Sequence, residues 1–199
     1  MQPSGTRPRP LGVNTSLRST LLSAAALSVA ALTLSQLAAP ATADGIGVSD
    51  PRDLDHGVDL RSVVVDHGAD NVVVTTTHTN LRPSFLSGSA GAVFLDTDAS
   101  VAGPEYVFVG GYFDGTDYQL LHTDGFARRT WGKPVDGSYR MRLDYDKEQV
   151  RMRISRDAIG SPAQVRVAVR VAGTRRDGSS TARDWLGEPR SFTDWVASS

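Results

Sequence analysis

Four arginines, Arg140, Arg142, Arg151 and Arg153, stand in the stretch "RMRLDYDKEQVRMR", which reads the same way from either end. A guanidinium is planar, permanently charged and matched to carboxylate and phosphate. Four of them at this spacing could hold an anionic polymer such as wall teichoic acid, acidic polysaccharide or DNA. The spacing equally suits an ordinary hairpin whose polar side is solvated. In that case the long stems cover backbone, and Asp144, Glu148 or acids of another strand sit among the charges. Composition favours the solvated reading, because the chain's net charge is −1 and few aromatics interleave with the arginines. Arg166 and Arg170, in "AQVRVAVRVAG", would extend the face to six if their strand lay beside the hairpin.

The other chemistry-bearing residues are scattered. His56, His67, His78 and His122 form no HxH or HExxH pair. "GSAGA" around Ser89 lacks the strand-nucleophile-helix setting of GxSxG. The acids fall mostly in turns, where Asp serves the backbone, and no two stand out as acid and base. The expectation is therefore a protein that is not an enzyme and requires no cofactor. Structural calcium is the one addition the acids would support. "LDTDAS" offers Asp96 and Asp98 at a strand end, and Asp50, Asp53 and Asp55 gather near the start. Of the aromatics, Trp131 and Trp185 are candidate platforms for sugar stacking. "YVFVGGYF" places Val107 and Val109 on one face of a strand and Tyr106, Phe108 and Tyr112 on the other. One apolar face is the norm for a sandwich strand. Either a loop covers the second face, the favoured reading, or a shallow aromatic cleft lies open there.

The elements that would position these residues are strands. β-branched runs such as "VDLRSVVV" and "NVVVTTT" alternate with Gly, Pro and Asp turns, and helical periodicity is confined to one turn at "SRDAIG". About nine or ten short strands predict an all-β protein, an antiparallel β-sandwich of jelly-roll or immunoglobulin-like type. A turn at Asp146-Lys147 pairs Leu143 with Val150, Met141 with Met152 and Tyr139 with Ile154. That register puts every apolar residue of the hairpin on one face, and Arg142 opposite Arg151 and Arg140 opposite Arg153 on the other. A second hairpin turn at Asp114-Gly115 would set Tyr118 across from Gly111. "FARRTW" reads as a strand, "GKPVDG" and "TRRDGSSTARD" as loop, and "PRSFTDWV" as the closing strand.

Residues 1–43 read as a secretory signal peptide, with Arg7, Arg9 and Arg18 before an apolar stretch that closes on Ala41-Thr42-Ala43. Residues 44–199 would then form one secreted domain with no membrane span. Its net charge of about −4 is no general attractant for nucleic acid or an anionic membrane. The absence of cysteine excludes disulfides, cysteine-zinc sites and thiol catalysis. High Arg and Ala with almost no Lys suggests a GC-rich bacterial source.

The segments "DLRSVVVDHGADNVVVTTTHTNL", "VFLDTD" followed by "GPEYVFVGGY", and "VRMRISRDAIG" together resemble exported β-sandwich proteins of actinobacteria. More distantly they are similar to the DOMON and family 9 carbohydrate-binding module group. The resemblance covers most of residues 48–196. It implies a ligand-binding or adhesive sandwich, often with calcium, engaged in extracellular polysaccharide work. No Met or His pair of the kind that marks a haem-binding DOMON is present. The expected function is non-catalytic binding of extracellular carbohydrate or cell-wall polymer. The alternatives are a protein-interaction or inhibitor-like domain docking through "YVFVGGYF", and a hydrolase whose site assembles from separated loops.

Overall fold

In the computed structural model, residues 45–175, 178 and 181–199 are described; residues 1–43, read above as a signal peptide, lie outside them. The fold is all-β. Its strands are β1 (Gly45–Ser49), β2 (Leu60–His67), β3 (Asn71–His78), β4 (Ala90–Asp96), β5 (Tyr106–Gly111) and β6 (Tyr118–Thr123). They continue with β7 (Trp131–Pro134), β8 (Tyr139–Asp144), β9 (Gln149–Ser155), β10 (Gln164–Thr174), β11 (Thr181–Trp185) and β12 (Val196–Ala197). One antiparallel sheet runs β1-β2-β3-β9-β8, the other β11-β10-β4-β5-β6-β7, with β12 added to β10. The two sheets pack face to face as a β-sandwich.

Twelve strands stand among the described residues against the nine or ten that the turn signals predict, and the difference lies in short pieces. "FARRTW" is strand only at its last residue: Arg128–Thr130 form a 3-10 turn, and β7 begins at Trp131 and runs on through Pro134, into the stretch read as loop. β11 comes from the polar segment "TRRDGSSTARD". "PRSFTDWV" contributes only the last residue of its length to β12. The turn at "SRDAIG" is present as a 3-10 turn over Arg156–Ile159.

Alternation builds the core. Val72 and Val74 of β3, Val150, Met152 and Ile154 of β9, and Val165, Val167, Val169 and Val171 of β10 point between the sheets, and each is essentially inaccessible. In β2 the register shifts between Leu60 and Ser62. The extra residue, Arg61, is a β-bulge that returns Leu60 to the core face shared by Val63 and Val65. Gly91 of β4 has a steric duty: a Cβ there would lie 1.8 Å from the Tyr112 hydroxyl oxygen, so only glycine lets that ring into the core.

The hairpin β8-β9 has the register that its sequence dictates, Leu143 with Val150, Met141 with Met152 and Tyr139 with Ile154. The β5-β6 hairpin differs from expectation by one residue. Tyr118 pairs with Gly110, not Gly111, because the connection has an odd number of residues and centres on Asp114. Met141 of the facing sheet fills the space above Gly110, and the Tyr118 ring stacks on Phe108 at 5.8 Å.

Two buried histidines serve the core. His78 donates from Nδ1 to the Val58 carbonyl at 2.8 Å and accepts from Thr76 at Nε2 at 2.7 Å, and its ring meets Tyr112 edge-on. His67 bonds the Val196 carbonyl at 3.0 Å, tying β2 to the chain's last strand. Burial is the main cause that pulls His78 down to about 4 from 6.5, opposed by its bond to Val58; it depresses His67 as well. A histidine whose folded value is depressed stabilises the fold above its unfolded value, and that stability is lost as pH falls through the folded one. For His78 the window runs from about pH 6.5 to 4, and the full loss is about 3 kcal/mol. Urea midpoints of the wild type should fall through this window more steeply than those of a His78→Gln variant. Parallel curves would contradict the buried neutral imidazole.

Candidate functional site

The hairpin puts Arg142 directly opposite Arg151 and Arg140 opposite Arg153, all four exposed on the outer face of the five-stranded sheet. Neighbouring strands lie about 4.8 Å apart, and residues two apart on a strand about 6.8 Å. The four Cα atoms therefore mark a rectangle of that size. The guanidiniums surround a shared space of about 440 Å³ lined by these four residues alone. A second hollow beside it adds Asp70, Asn71 and Ser155 to Arg140 and Arg153.

What the arginines lack distinguishes the two readings of this face. Among the described residues, no carboxylate lies within 4 Å of any of the four. Asp144, expected among them, pairs with Lys147 at 3.0 Å. Two hydrogen bonds from Lys147, side chain first and then backbone, hold the Asp144 carboxyl below its ordinary value. Glu148 turns away to accept from the Leu81 amide. Asp66 shares the outer face, but Val73 stands between it and Arg153 in the pairing order β2-β3-β9. Like charges directly opposite cost about 0.2–1 kcal/mol per pair. Among the described residues no ion pair within 4 Å offsets that cost, and the acid nearest in the lining, Asp70, borders only the neighbouring hollow of Arg140 and Arg153.

Arg166 and Arg170 do not enlarge this face. Strand β10 belongs to the other sheet, and its arginines point to that sheet's outer side. There a second apolar cluster, Ala92, Phe94, Val107, Leu121 and Ala168, is covered by Phe126, Trp131, Trp185 and Phe192. This cover is the loop expected over the second face of "YVFVGGYF". Phe108 and Tyr112, 1% and 0% exposed, lie in the main core, and Tyr106 packs partly buried against it. The rings of Phe108 and Tyr112 thus have no face free for a ligand. Trp185 stacks on Phe94 at 6.0 Å within the covering layer.

Trp131 keeps one side open. With Arg128, Arg170 and Arg183 it borders a cleft of about 630 Å³ whose floor includes Ala90, Ala92, Val109 and Ala172. Arg170 lies over Phe94, Trp131 and Trp185 at 5.6–5.9 Å from their centroids. Burial first, then Arg183, lowers its pKa from the ordinary arginine value. Sequence reasoning does not find this cleft, because its wall and floor come from six different strands and the 128–130 turn.

Two of the acids considered for calcium, Asp96 and Asp98, accept hydrogen bonds from neighbouring residues of the chain. Asp96 is fully buried, and its Oδ2 accepts from Arg166 Nε at 2.9 Å and Nη2 at 2.7 Å. Asp98 accepts from the Ser100 hydroxyl at 2.6 Å and the Ser100 amide at 2.9 Å, bonds that lower its pKa. Asp50 and Asp53 do come together, but with Asp184 of β11, while Asp55 is exposed in its loop. Among the described residues no helix is long and apolar enough to cross a membrane.

Comparison of the chain with family models and with curated proteins finds no match.

Proposed function

We propose that this chain is a secreted, non-catalytic binding module that holds an anionic cell-wall or extracellular polymer against the β8-β9 face. The observation that carries the reading is the quartet Arg140, Arg142, Arg151 and Arg153, unpaired among the described residues and gathered around one space. Opposite arginines suit a phosphate or carboxylate gripped from two sides, and the second pair, about 6.8 Å along the strands, takes the next charge of the polymer. The basic and apolar leader supports export, and the resemblance to exported sandwiches supports a binding role.

A second reading rests on the Trp131 cleft. Arg170, half-buried over three rings and without a carboxylate partner among the described residues, suits the acid group of a single sugar or small ligand whose ring packs on Trp131. Docking of a protein partner has less support, since "YVFVGGYF" is covered on one face by the main core and on the other except around Val109, which lines the Trp131 cleft. The apolar pair Phe85 and Leu86, 70% and 75% exposed, would have to serve instead.

Incubation of the purified protein with teichoic-acid-bearing wall, teichoic-acid-stripped wall, polygalacturonate, cellulose and chitin tests the proposal. Retention on the two polyanions at low salt, lost at high salt, is expected. Retention on cellulose or chitin that survives salt would move the site to Trp131. Binding to none of them would overturn the polymer reading.

A further inference from the structure

One end of the sandwich carries an acidic cluster that the polymer face does not use. Asp50 follows β1, Asp53 lies three residues on in the loop, and Asp184 sits on β11 of the other sheet. One carboxylate oxygen of each lies within 4.8 Å of the other two. Asp50 and Asp184 are 5% and 6% exposed, a depth at which unpaired carboxylates are costly.

Each buried acid is fixed on one side. Asp50 Oδ1 accepts from the Gly187 amide at 2.7 Å, and Asp184 Oδ2 accepts from the Leu60 amide at 2.8 Å. Asp50 Oδ2, by contrast, is buried with no hydrogen-bond partner among the described residues. The nearby charges do not satisfy it. Arg61 approaches Asp59 at 3.7 Å and no other described acid within 4 Å. Asp59 is occupied by the amides of Asp53 and Leu54 and by the Thr79 hydroxyl. A buried, unpartnered oxygen beside a second buried carboxylate calls for a cation. The 4.8 Å span is of the order that one ion with oxygen bonds of about 2.3–2.6 Å bridges.

We propose that Asp50, Asp53 and Asp184 bind a calcium ion that staples the end of β1 in one sheet to β11 in the other. Calcium is preferred to magnesium because it accepts irregular oxygen sets with water at the exposed positions. Asp53, exposed and with no hydrogen bond on its carboxylate among the described residues, supplies the ligand nearest solvent.

The test is a thermal melt and a calcium titration of the purified protein after exhaustive chelation. Millimolar calcium should raise Tm by about 5 °C or more, whereas magnesium at the same concentration should not. Asp53→Asn should fold normally and bind calcium about tenfold more weakly. Asp184→Asn should lose the calcium-dependent rise, while Asp98→Asn keeps it. A chelated protein whose Tm is unmoved by calcium, or an Asp53→Asn variant that binds as tightly as the wild type, would overturn the site. An equal response to magnesium would overturn its assignment to calcium. Polymer retention by the arginine face is a separate readout, so failure of either proposal leaves the other open to its own result.

Discussion

Replacing Arg142 and Arg151 together by glutamine should weaken binding to a polyanionic wall polymer about a hundredfold while making the protein slightly more stable. The two effects have one origin. The guanidiniums face each other across β8 and β9 with no acid within 4 Å among the described residues, so each repels the other in the free protein. Removing one directly opposed like-charge pair should return about 0.2–1 kcal/mol. Each arginine lost from a charge-assisted contact costs about tenfold in affinity, near 1.4 kcal/mol. A merely solvated face behaves differently: the substitution would change stability by a few tenths and binding not at all. Denaturant midpoints and polymer affinity, measured on the same variant, separate the two cases. The core beneath, Met141, Met152 and Val150, is untouched by the change, so unfolding cannot account for the lost affinity.

Arg166→Ala should be among the most damaging substitutions outside the apolar core, costing about 3–5 kcal/mol. Asp96 is completely buried, and both bonds to its Oδ2 come from Arg166. Removing the guanidinium leaves a buried carboxylate with nothing to balance it. The same guanidinium also lies 4.7 Å from the Phe192 ring and 4.6 Å from Trp195, so the variant loosens the C-terminal cover as well. A double variant, Asp96→Leu with Arg166→Met, should recover most of the loss, because it removes the charge along with its partner. If Arg166→Ala alone melts within a degree or two of the wild type, Asp96 is not held as described.

The arginine hairpin was legible because its pattern is local. Period two across a four-residue turn fixes the register, and a slip of one would expose Met141 and Met152. The one-residue error at Tyr118 has the same origin in reverse. Gly110 and Gly111 carry no side chain, so nothing in that stretch marks which of them faces the core. The fate of "YVFVGGYF" could be read only halfway. Two apolar faces predict a cover, but that Phe126 and Phe192 supply it depends on where distant turns fold back. Asp96 and Arg166 stand 70 residues apart, and pairing across β4 and β10 is invisible in one sequence. Asp184 was hidden differently. "TARDW" does alternate, with Ala182 and Asp184 on one face, but the adjoining Gly and Ser made the segment read as a turn. Its burial beside Asp50 is a consequence of that overlooked strand.

The most direct test of the polymer-binding account is the salt dependence of wild-type affinity for purified teichoic acid. Four guanidiniums that each neutralise one phosphate should give a slope of about −3 in log affinity against log salt. The Arg142→Gln, Arg151→Gln double variant should halve it. A slope near zero in the wild type, with binding retained, would contradict the account and show that the arginine face does not hold the polymer.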